Sequence, residues 1–295
     1  MNNYLKIAPH LKKVLSKKQR RNTMLEDAYQ LLKEKSEECL QKVANDKFFV
    51  GYTKEKIRHS YQVMGAGNYI VPRVKWLKSK DSEYVDMVKS AVLLHDICRF
   101  AEIEEKCLHN RQIDHGVAGG EFLRTVPEFS DIRIWLPIKH HGHLIEALYA
   151  DEEYQNIADK ELKQEVARIC FIIRDADKIA NLRMFAYEPQ MRYLFLGKKD
   201  IVPEVDGHIS AKVWQEADTY TTFSRGADAT PADRMAGYLS WYYDINYQYS
   251  IDFCNKLNVT PRLLEFFKWI CVDEAFKNKL LARFADFLEN HPYLR

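Results

Sequence analysis

Ionisable side chains directly follow long apolar runs at two points of this sequence. His95 and Asp96 come at the end of one such run. Asp175 and Asp177 come just after the run 169–173. Apolar runs are buried in folded proteins, and a buried ionisable group is costly unless its charge and hydrogen bonds are compensated. The chain must therefore fold so that these groups are compensated, and a cation shared by several helices would satisfy them together.

Glycine and proline are too sparse here for a sheet-rich protein. The 295 residues include 11 glycines and 9 prolines, whereas sheets need frequent glycine-containing turns. Apolar residues recur at helical spacing in 23–48, 54–77, 82–98 and 159–186. With 46% hydrophobic residues, the chain is long enough to bury a large core. We predict an all-α fold.

Capping residues and helix breakers predict several boundaries. Thr23, Ser82 and Asp114 each precede an apolar period and are predicted N-caps. Pro72 should end or kink the second helix. Residues 101–112 are polar and mixed, which predicts a loop.

The last third of the chain begins with an irregular stretch. Residues 196–231 hold many of the turn residues and are predicted to be a connection or a lid. Two helices are expected after it, near 232–257 and 261–289. The predicted division is an N-terminal helical extension, a core with the ionisable residues, and a C-terminal part packing on the core, at 1–45, 46–195 and 196–295.

The charges and cysteines of the sequence indicate which partners and which compartment to expect. A net charge of +2 gives no reason to expect nucleic-acid binding. The first 21 residues are basic without an acidic residue, which indicates a solvated helix or, alternatively, an amphipathic helix that touches an anionic partner or membrane surface. No apolar stretch approaches 18 residues, so no membrane span is predicted. Six scattered cysteines without a CxxC pair indicate reduced thiols and a cytoplasmic protein.

Histidines and aspartates recur along the chain in a particular order. Each alone carries little information: a His-Asp dipeptide is common, and Asp177 could pair with Arg174 or Lys178. Together on apolar helices they indicate a metal site, because neutral imidazole and carboxylate are the usual ligands of transition metals. The predicted ligands, with the choice between the two adjacent histidines left open, are His59, His95, Asp96, His115, His140, His141 and Asp177.

This order resembles that of the HD superfamily of metal-dependent phosphohydrolases. Residues 58–60 resemble the segment of the first family histidine, and 91–100 resemble the central helix, where the His-Asp pair is commonly followed by Ile-Gly-Arg-Phe. Residues 114–123 resemble the next helix, and 174–179 resemble the closing Asp-Ala-Asp-Lys-Leu segment. The resemblance covers about residues 50–190 and implies an all-α helical bundle with a central His/Asp metal site.

The chain also departs from the family pattern. Cys98 stands where glycine is frequent. Some members use a glutamate three residues after the aspartate of the pair as a catalytic acid or base, but that position here is Arg99. That variant of the mechanism is therefore not expected. The segment 238–249 resembles the C-terminal part of a bacterial HD-domain subgroup.

The resemblance implies hydrolysis of a phosphomonoester or nucleotide by metal-activated water. One or two divalent ions (manganese, iron or zinc) would be bound, with Asp96 between them. Arg99, Lys178 and Arg174 lie beside the ligand segments and are predicted to bind the substrate's phosphate. His143 is predicted to protonate the leaving group, unless it is only part of the ligand loop. The expected partner is a small phosphorylated metabolite or nucleotide, and homo-oligomer formation is left open.

Two other functions fit the same pattern. A di-iron oxygenase similar to myo-inositol oxygenase uses a similar ligand order, and bound iron with oxygen uptake would favour it. A catalytically silent module that binds a ligand or regulates would show tight binding without turnover.

Overall fold

All regular structure in this computed structural model is helical over residues 23–224 and 226–290, which are the residues that it describes. No strand occurs in those ranges, so the predicted all-α class is confirmed. Within the same ranges no helix has the length and apolar character needed to cross a bilayer. The predicted basic helix of the first 21 residues lies outside the described part of the chain.

Six helices make up the first half of the described chain. They are α1 (Met24–Lys42), α2 (Lys47–Ile70), α3 (Ser82–Leu93), α4 (Arg99–His109), α5 (His115–Arg124) and α6 (Ile132–His140). The second half contains one long helix and a series of shorter ones. They are α7 (Ile145–Ala150), α8 (Glu152–Gln155), α9 (Lys160–Tyr187), α10 (Arg192–Leu196), α11 (Pro203–Asp206), α12 (Ala211–Glu216), α13 (Pro231–Ser240), α14 (Gln248–Lys256), α15 (Val259–Ile270) and α16 (Glu274–Asn290).

Two of the three predicted N-caps are confirmed. Thr23 caps α1 in a capping box with Glu26, and Asp114 caps α5. The prediction that Ser82 is a cap is wrong, because Ser82 is the first residue of α3 and the carboxylate of Asp81 makes the cap bond instead. Aspartate and serine cap about equally well, so adjacent ones cannot be told apart by type.

Two predicted segments differ in the structure. Residues 101–112 are mostly helical rather than a loop, since α4 buries Phe100 and Ile103 against α1 and α2. Two apolar anchors in a polar sequence are enough for a helix that packs on a core but too few to reveal its period. Chain reversals also divide the predicted helices 232–257 and 261–289 into α13–α16. Pro72 does end α2, in a 3-10 turn at Val71–Arg73.

The long helix α9 is the centre of the core. It packs against α2, α6 and α15, and most of its middle is buried, with Asp177 partly exposed to a cavity. α5 lies close against α6, where a Cβ on Gly120 would come within 2.9 Å of the Trp135 carbonyl oxygen. Glycine is therefore needed at that crossing. This packing brings the end of α3, the start of α5 and the end of α6 beside the middles of α2 and α9.

Candidate metal centre

An inner half-site is formed by His59, His95, Asp96 and Asp177. His59 comes from the middle of α2, Asp177 from the middle of α9, and the His-Asp pair from the turn after α3. His59 Nε2 lies 2.9 Å from Asp177 Oδ1, and His95 Nε2 lies 3.8 Å from both Asp177 Oδ1 and Asp96 Oδ2. His59, His95 and Asp96 are only 1%, 0% and 3% exposed. Four predicted site residues therefore converge in the core.

An outer half-site is formed by Asp96, His115 and His141. His115 Nε2 lies 3.1 Å and His141 Nε2 3.5 Å from Asp96 Oδ1. The two imidazole rings are 5.2 Å apart between centroids. Because the other oxygen of Asp96 faces His59 and His95, one carboxylate belongs to both half-sites. Asp96 would therefore be available to an ion in either group of candidate ligands.

Backbone carbonyls at helix ends orient two of the histidines. His95 Nδ1 lies 3.0 Å from the Val92 carbonyl oxygen, and His141 Nδ1 lies 2.7 Å from that of Ile138. The last carbonyls of a helix have no intrahelical partner and accept such bonds. A proton on Nδ1 leaves Nε2 of each ring as a free lone pair that faces the centre, which is how metal-bound histidines are usually held.

Two buried atoms of the cluster fit a divalent cation. His95 Nε2 and Asp96 Oδ1 have no hydrogen-bond partner in the described part of the chain. A buried polar atom without a partner costs about 1–3 kcal/mol, which a bound cation would remove. In each of two groups, His59-His95-Asp96 and Asp96-His115-His141, the ligand atoms lie within 4.8 Å of one another. The nitrogen and oxygen donors suit zinc, manganese or iron.

The local electrostatics favour the metal-binding protonation states of His95, Asp96 and Asp177. Burial lowers the pKa of His95 to about 3, so its imidazole is neutral at neutral pH. Burial opposes ionisation of Asp96, but Arg99 and Lys56 outweigh it and hold the pKa of that carboxyl well below its usual range. His59 similarly lowers the pKa of Asp177 against burial. Neutral imidazole and ionised carboxylate are the forms that ligate metals.

A basic cavity of about 470 Å³ opens directly above both half-sites. Asp96, Asp177, His115 and His141 lie at its base. The three predicted phosphate-binding residues all line it, and they are Arg99, Arg174 and Lys178. Arg174 and Lys178 share one counter-ion, since both contact Asp244 Oδ2, at 2.5 and 2.9 Å. Their positive charge is therefore partly compensated.

Two of the predicted histidines lie outside the cluster. His140 Nε2 points to Asp151 Oδ2 at 2.8 Å, so of the adjacent pair only His141 faces Asp96. His143 lies on the rim of the cavity, more than a third exposed, with its Nε2 2.8 Å from Asp114 Oδ2. His140 Nε2 therefore faces the Asp151 carboxylate rather than the other predicted metal ligands.

Asp175 lies on the opposite side of α9 from the cluster. Its carboxylate accepts hydrogen bonds from the backbone N–H groups of Asn246 and Tyr247 and from the Ser250 hydroxyl, and so holds the start of α14. Two residues along a helix rotate a side chain by about 200°, so Asp175 and Asp177 cannot face the same site. The expectation that one cation compensates both carboxylates is wrong for Asp175.

Three polar residues near the cluster were not predicted from the sequence to belong to the site. Lys56 reaches Asp96 Oδ2 at 3.5 Å, and Asn181 donates a hydrogen bond to Asp177 Oδ1 at 2.8 Å. Each lies one helical turn from a predicted ligand, a spacing that could have revealed both. Glu102, which contacts Arg99, lies in the segment predicted to be a loop.

A second cavity of about 260 Å³ adjoins the basic one on the side of His59. Both cavities share Lys56, Asn181 and Trp241 as lining residues. The remainder of its lining is largely apolar or aromatic and comprises Tyr52, Glu55, Met184, Met191, Leu194, Phe195 and Tyr238.

Comparison with known proteins agrees with this geometry. Residues 57–182 match the family model of the HD domain, a span that contains every residue of the two half-sites. Neither a curated protein nor a solved structure gives a significant match to the chain. The match covers less than half of the chain and is consistent with the predicted resemblance to the HD-domain superfamily of metal-dependent phosphohydrolases.

Proposed function

We propose that this protein is a metal-dependent phosphohydrolase that acts on a phosphomonoester or nucleotide. The observation that carries the proposal is the position of Asp96: its carboxylate joins two groups of ligand atoms at the base of a basic cavity. A centre of this kind matches the charge that develops on a phosphoryl group during hydrolysis.

The metal would be one or two divalent ions of manganese, iron or zinc. His59, His95, Asp96 and Asp177 would hold an ion in the inner half-site, and His115 and His141 with Asp96 are the ligands available in the outer one. A divalent ion held there supplies a Lewis acid and lowers the pKa of a bound water to about 7, which gives a nucleophile at neutral pH.

The chain's own residues would bind and orient the phosphate. Arg99 and Lys56 flank Asp96 and line the basic cavity, so their charges are available to phosphoryl oxygens. Lys178 and Arg174 line the same cavity and keep Asp244 as a counter-ion, which suits them to a supporting role. His143, oriented by Asp114, is the proposed proton donor to the leaving group.

The neighbouring apolar cavity supports an ester with an organic group rather than a bare inorganic phosphate. It opens beside His59 and shares a wall with the basic cavity, so a substrate could place its phosphate in one and its organic group in the other. Mostly apolar pockets with a few placed polar groups are typical of small-molecule sites.

Phosphate release is the direct test. Protein purified without chelator or metal-affinity resin would be analysed for metal, then assayed with manganese, zinc or iron against a panel of phosphomonoesters and nucleotides, with oxygen uptake recorded in parallel. We expect phosphate release that disappears in Asp96→Asn, whose side chain keeps the shape but loses the charge. Iron with oxygen uptake and no phosphate would favour the oxygenase. Tight ligand binding without turnover would favour a silent module.

A further inference from the structure

The outer half-site already contains a positive charge that the chain itself supplies. The Nη2 atom of Arg99 lies 2.7 Å from His115 Nε2 and 3.5 Å from Asp96 Oδ1. These are two of the three ligand atoms of the outer half-site, and the third, His141 Nε2, is 3.5 Å from the same Asp96 oxygen. The guanidinium therefore lies against the donors that would hold an ion there.

Arg99 is fixed in this position from two directions. It is the first residue of α4, three residues after Asp96, so the start of the helix sets where its side chain begins. Its Nη1 donates to Glu102 Oε2 at 2.5 Å, and the same carboxylate oxygen lies 3.4 Å from His115 Nδ1. Glu102 thus holds Arg99 and His115 together, and an arginine keeps its charge at every accessible pH.

In the inner half-site the chain's own cation contacts fewer of the candidate ligand atoms. Lys56 reaches only Asp96, with its Nζ 3.5 Å from Oδ2. His95 Nε2, in contrast, is buried and has no hydrogen-bond partner among the residues described. In the inner half-site His95 Nε2 is therefore free for an ion and no cation of the described chain lies against it, whereas in the outer half-site a guanidinium lies against His115 Nε2 and near Asp96 Oδ1.

We propose that Arg99 is a tethered cation that takes the place of a second metal ion. The centre then binds one divalent ion tightly in the inner half-site, and the outer half-site accepts an ion only when the guanidinium is displaced. Like charges a few ångströms apart repel strongly where water is excluded, so the two cations compete for the outer oxygen of Asp96. This inference rests on the proposed metal centre but not on the proposed reaction.

Metal stoichiometry tests the proposal. Chelator-treated full-length protein would be titrated with Mn²⁺, with bound metal measured by equilibrium dialysis and elemental analysis and with spin resonance used to detect a coupled ion pair. For the wild type we expect one tight ion and a second ion bound at least about a hundredfold more weakly. Arg99→Met should bind two ions with affinities within about tenfold of each other and should show the coupled-pair signal.

Lys56→Met is the matched control, because it removes another cation from the same cavity and from the same carboxylate. It should shift the affinity for the first ion and leave the stoichiometry at one. Two equally tight ions in the wild type, or a single ion in Arg99→Met, would overturn the proposal while leaving the hydrolase function intact. Absence of any bound ion in the wild type would overturn both.

His115→Ala keeps the proposal testable if Arg99→Met does not fold. Because the tight ion is assigned to the inner half-site, this variant should still bind one ion, with an affinity within about threefold of the wild type. Loss of the tight ion would show that the outer ligands hold it, which contradicts the proposal.

Discussion

The two half-sites share one carboxylate but are built differently. The inner ligands His59 and Asp177 come from the middles of α2 and α9, the longest helices of the described chain, which pack directly against each other. The outer ligands His115 and His141 come from helix ends, one at the start of α5 and the other just after α6. Helix middles in a packed core resist displacement, whereas helix ends fray more easily.

Because of this difference, the candidate ligands on the two sides of the shared Asp96 carboxylate have different surroundings. At the inner end, burial keeps His95 neutral and leaves its Nε2 without a hydrogen-bond partner in the described part of the chain, which a bound cation would supply. At the outer end, Arg99 and Glu102 already lie against the two ring nitrogens of His115. The surroundings follow the same division, since the apolar cavity adjoins His59 whereas an open polar cavity adjoins His115 and Glu102.

Replacing an inner ligand should have the largest effect. We expect His59→Ala and Asp177→Ala to weaken metal binding by more than about a hundredfold, the upper end of what loss of a supporting residue costs, and to abolish phosphate release. His140→Gln is the matched control, because this buried histidine pairs with Asp151 and should leave metal binding unchanged. Isothermal titration with Mn²⁺ would measure all three. An equal loss of metal affinity in His140→Gln and in the two ligand variants would contradict the assignment of His140 to a place outside the metal centre.

Asn181 should matter because it fixes the Asp177 carboxylate on the inner side. We expect Asn181→Leu to weaken metal binding by about 10–100-fold, as is usual when a group that orients a ligand is lost. The same titration measures it, with circular dichroism to show that the helix content is retained. An unchanged affinity would mean that packing of α9 alone orients Asp177.

His95 in the inner half-site and His115 in the outer half-site should change the stability with pH in opposite directions. An unfolded histidine has a pKa of about 6.5, and burial lowers that of His95 to about 3. Between these values only the unfolded chain binds the proton, so the free energy of unfolding falls as pH falls below 6.5, by at most about 1.4 kcal/mol per pH unit. Burial opposes protonation of His115, but Asp96 and Glu102 outweigh burial and raise its pKa. Protonated His115 therefore adds to the free energy of unfolding at low pH, and this contribution is lost as pH rises above about 6.5.

Urea unfolding of chelator-treated protein between pH 5 and 8 would measure both contributions. His95→Gln should flatten the acid side, and His115→Gln should flatten the alkaline side. If either variant changed the opposite side, the assignment of the two histidines to different environments would be wrong.

The smallest expected effect concerns the apolar cavity beside the inner half-site. Leu194 lines it and is 43% exposed, so Leu194→Asp should leave folding intact. We expect a KM about tenfold higher for an aryl phosphate and nearly unchanged for a small sugar phosphate, the scale at which a pocket distinguishes apolar groups. An equal change for both substrates would mean that the organic group binds elsewhere.

Much of the fold could be predicted because helix formation depends on local patterns, and the cluster could be predicted because its residue order resembles that of a known family. Scarce glycine and helical periodicity predict the all-α class. The order of His59, the His-Asp pair, His115 and Asp177 resembles that of the HD superfamily, and this resemblance predicts which residues converge. Burial of an apolar run alone would not have been enough, since Asp175 follows the same run as Asp177 but faces the opposite side of α9.

What could not be predicted depends on rotation about a helix and on tertiary packing. His140 and His141 differ by about 100° at a helix end, so nothing in their types says which one faces Asp96. The position of Arg99 also depends on α4, which packing against α1 and α2 stabilises more than its own sequence does. Without that helix, the contacts of Glu102 with Arg99 and His115 could not be foreseen.

Anomalous diffraction from crystals equilibrated with Mn²⁺ would test the central claim most directly. We predict one strong peak bounded by His59, His95, Asp96 and Asp177, with the Arg99 guanidinium against His115. A single peak between His115 and His141, or two peaks of equal height with Arg99 displaced, would contradict the unequal half-sites described here. No peak at either position would contradict the metal centre itself.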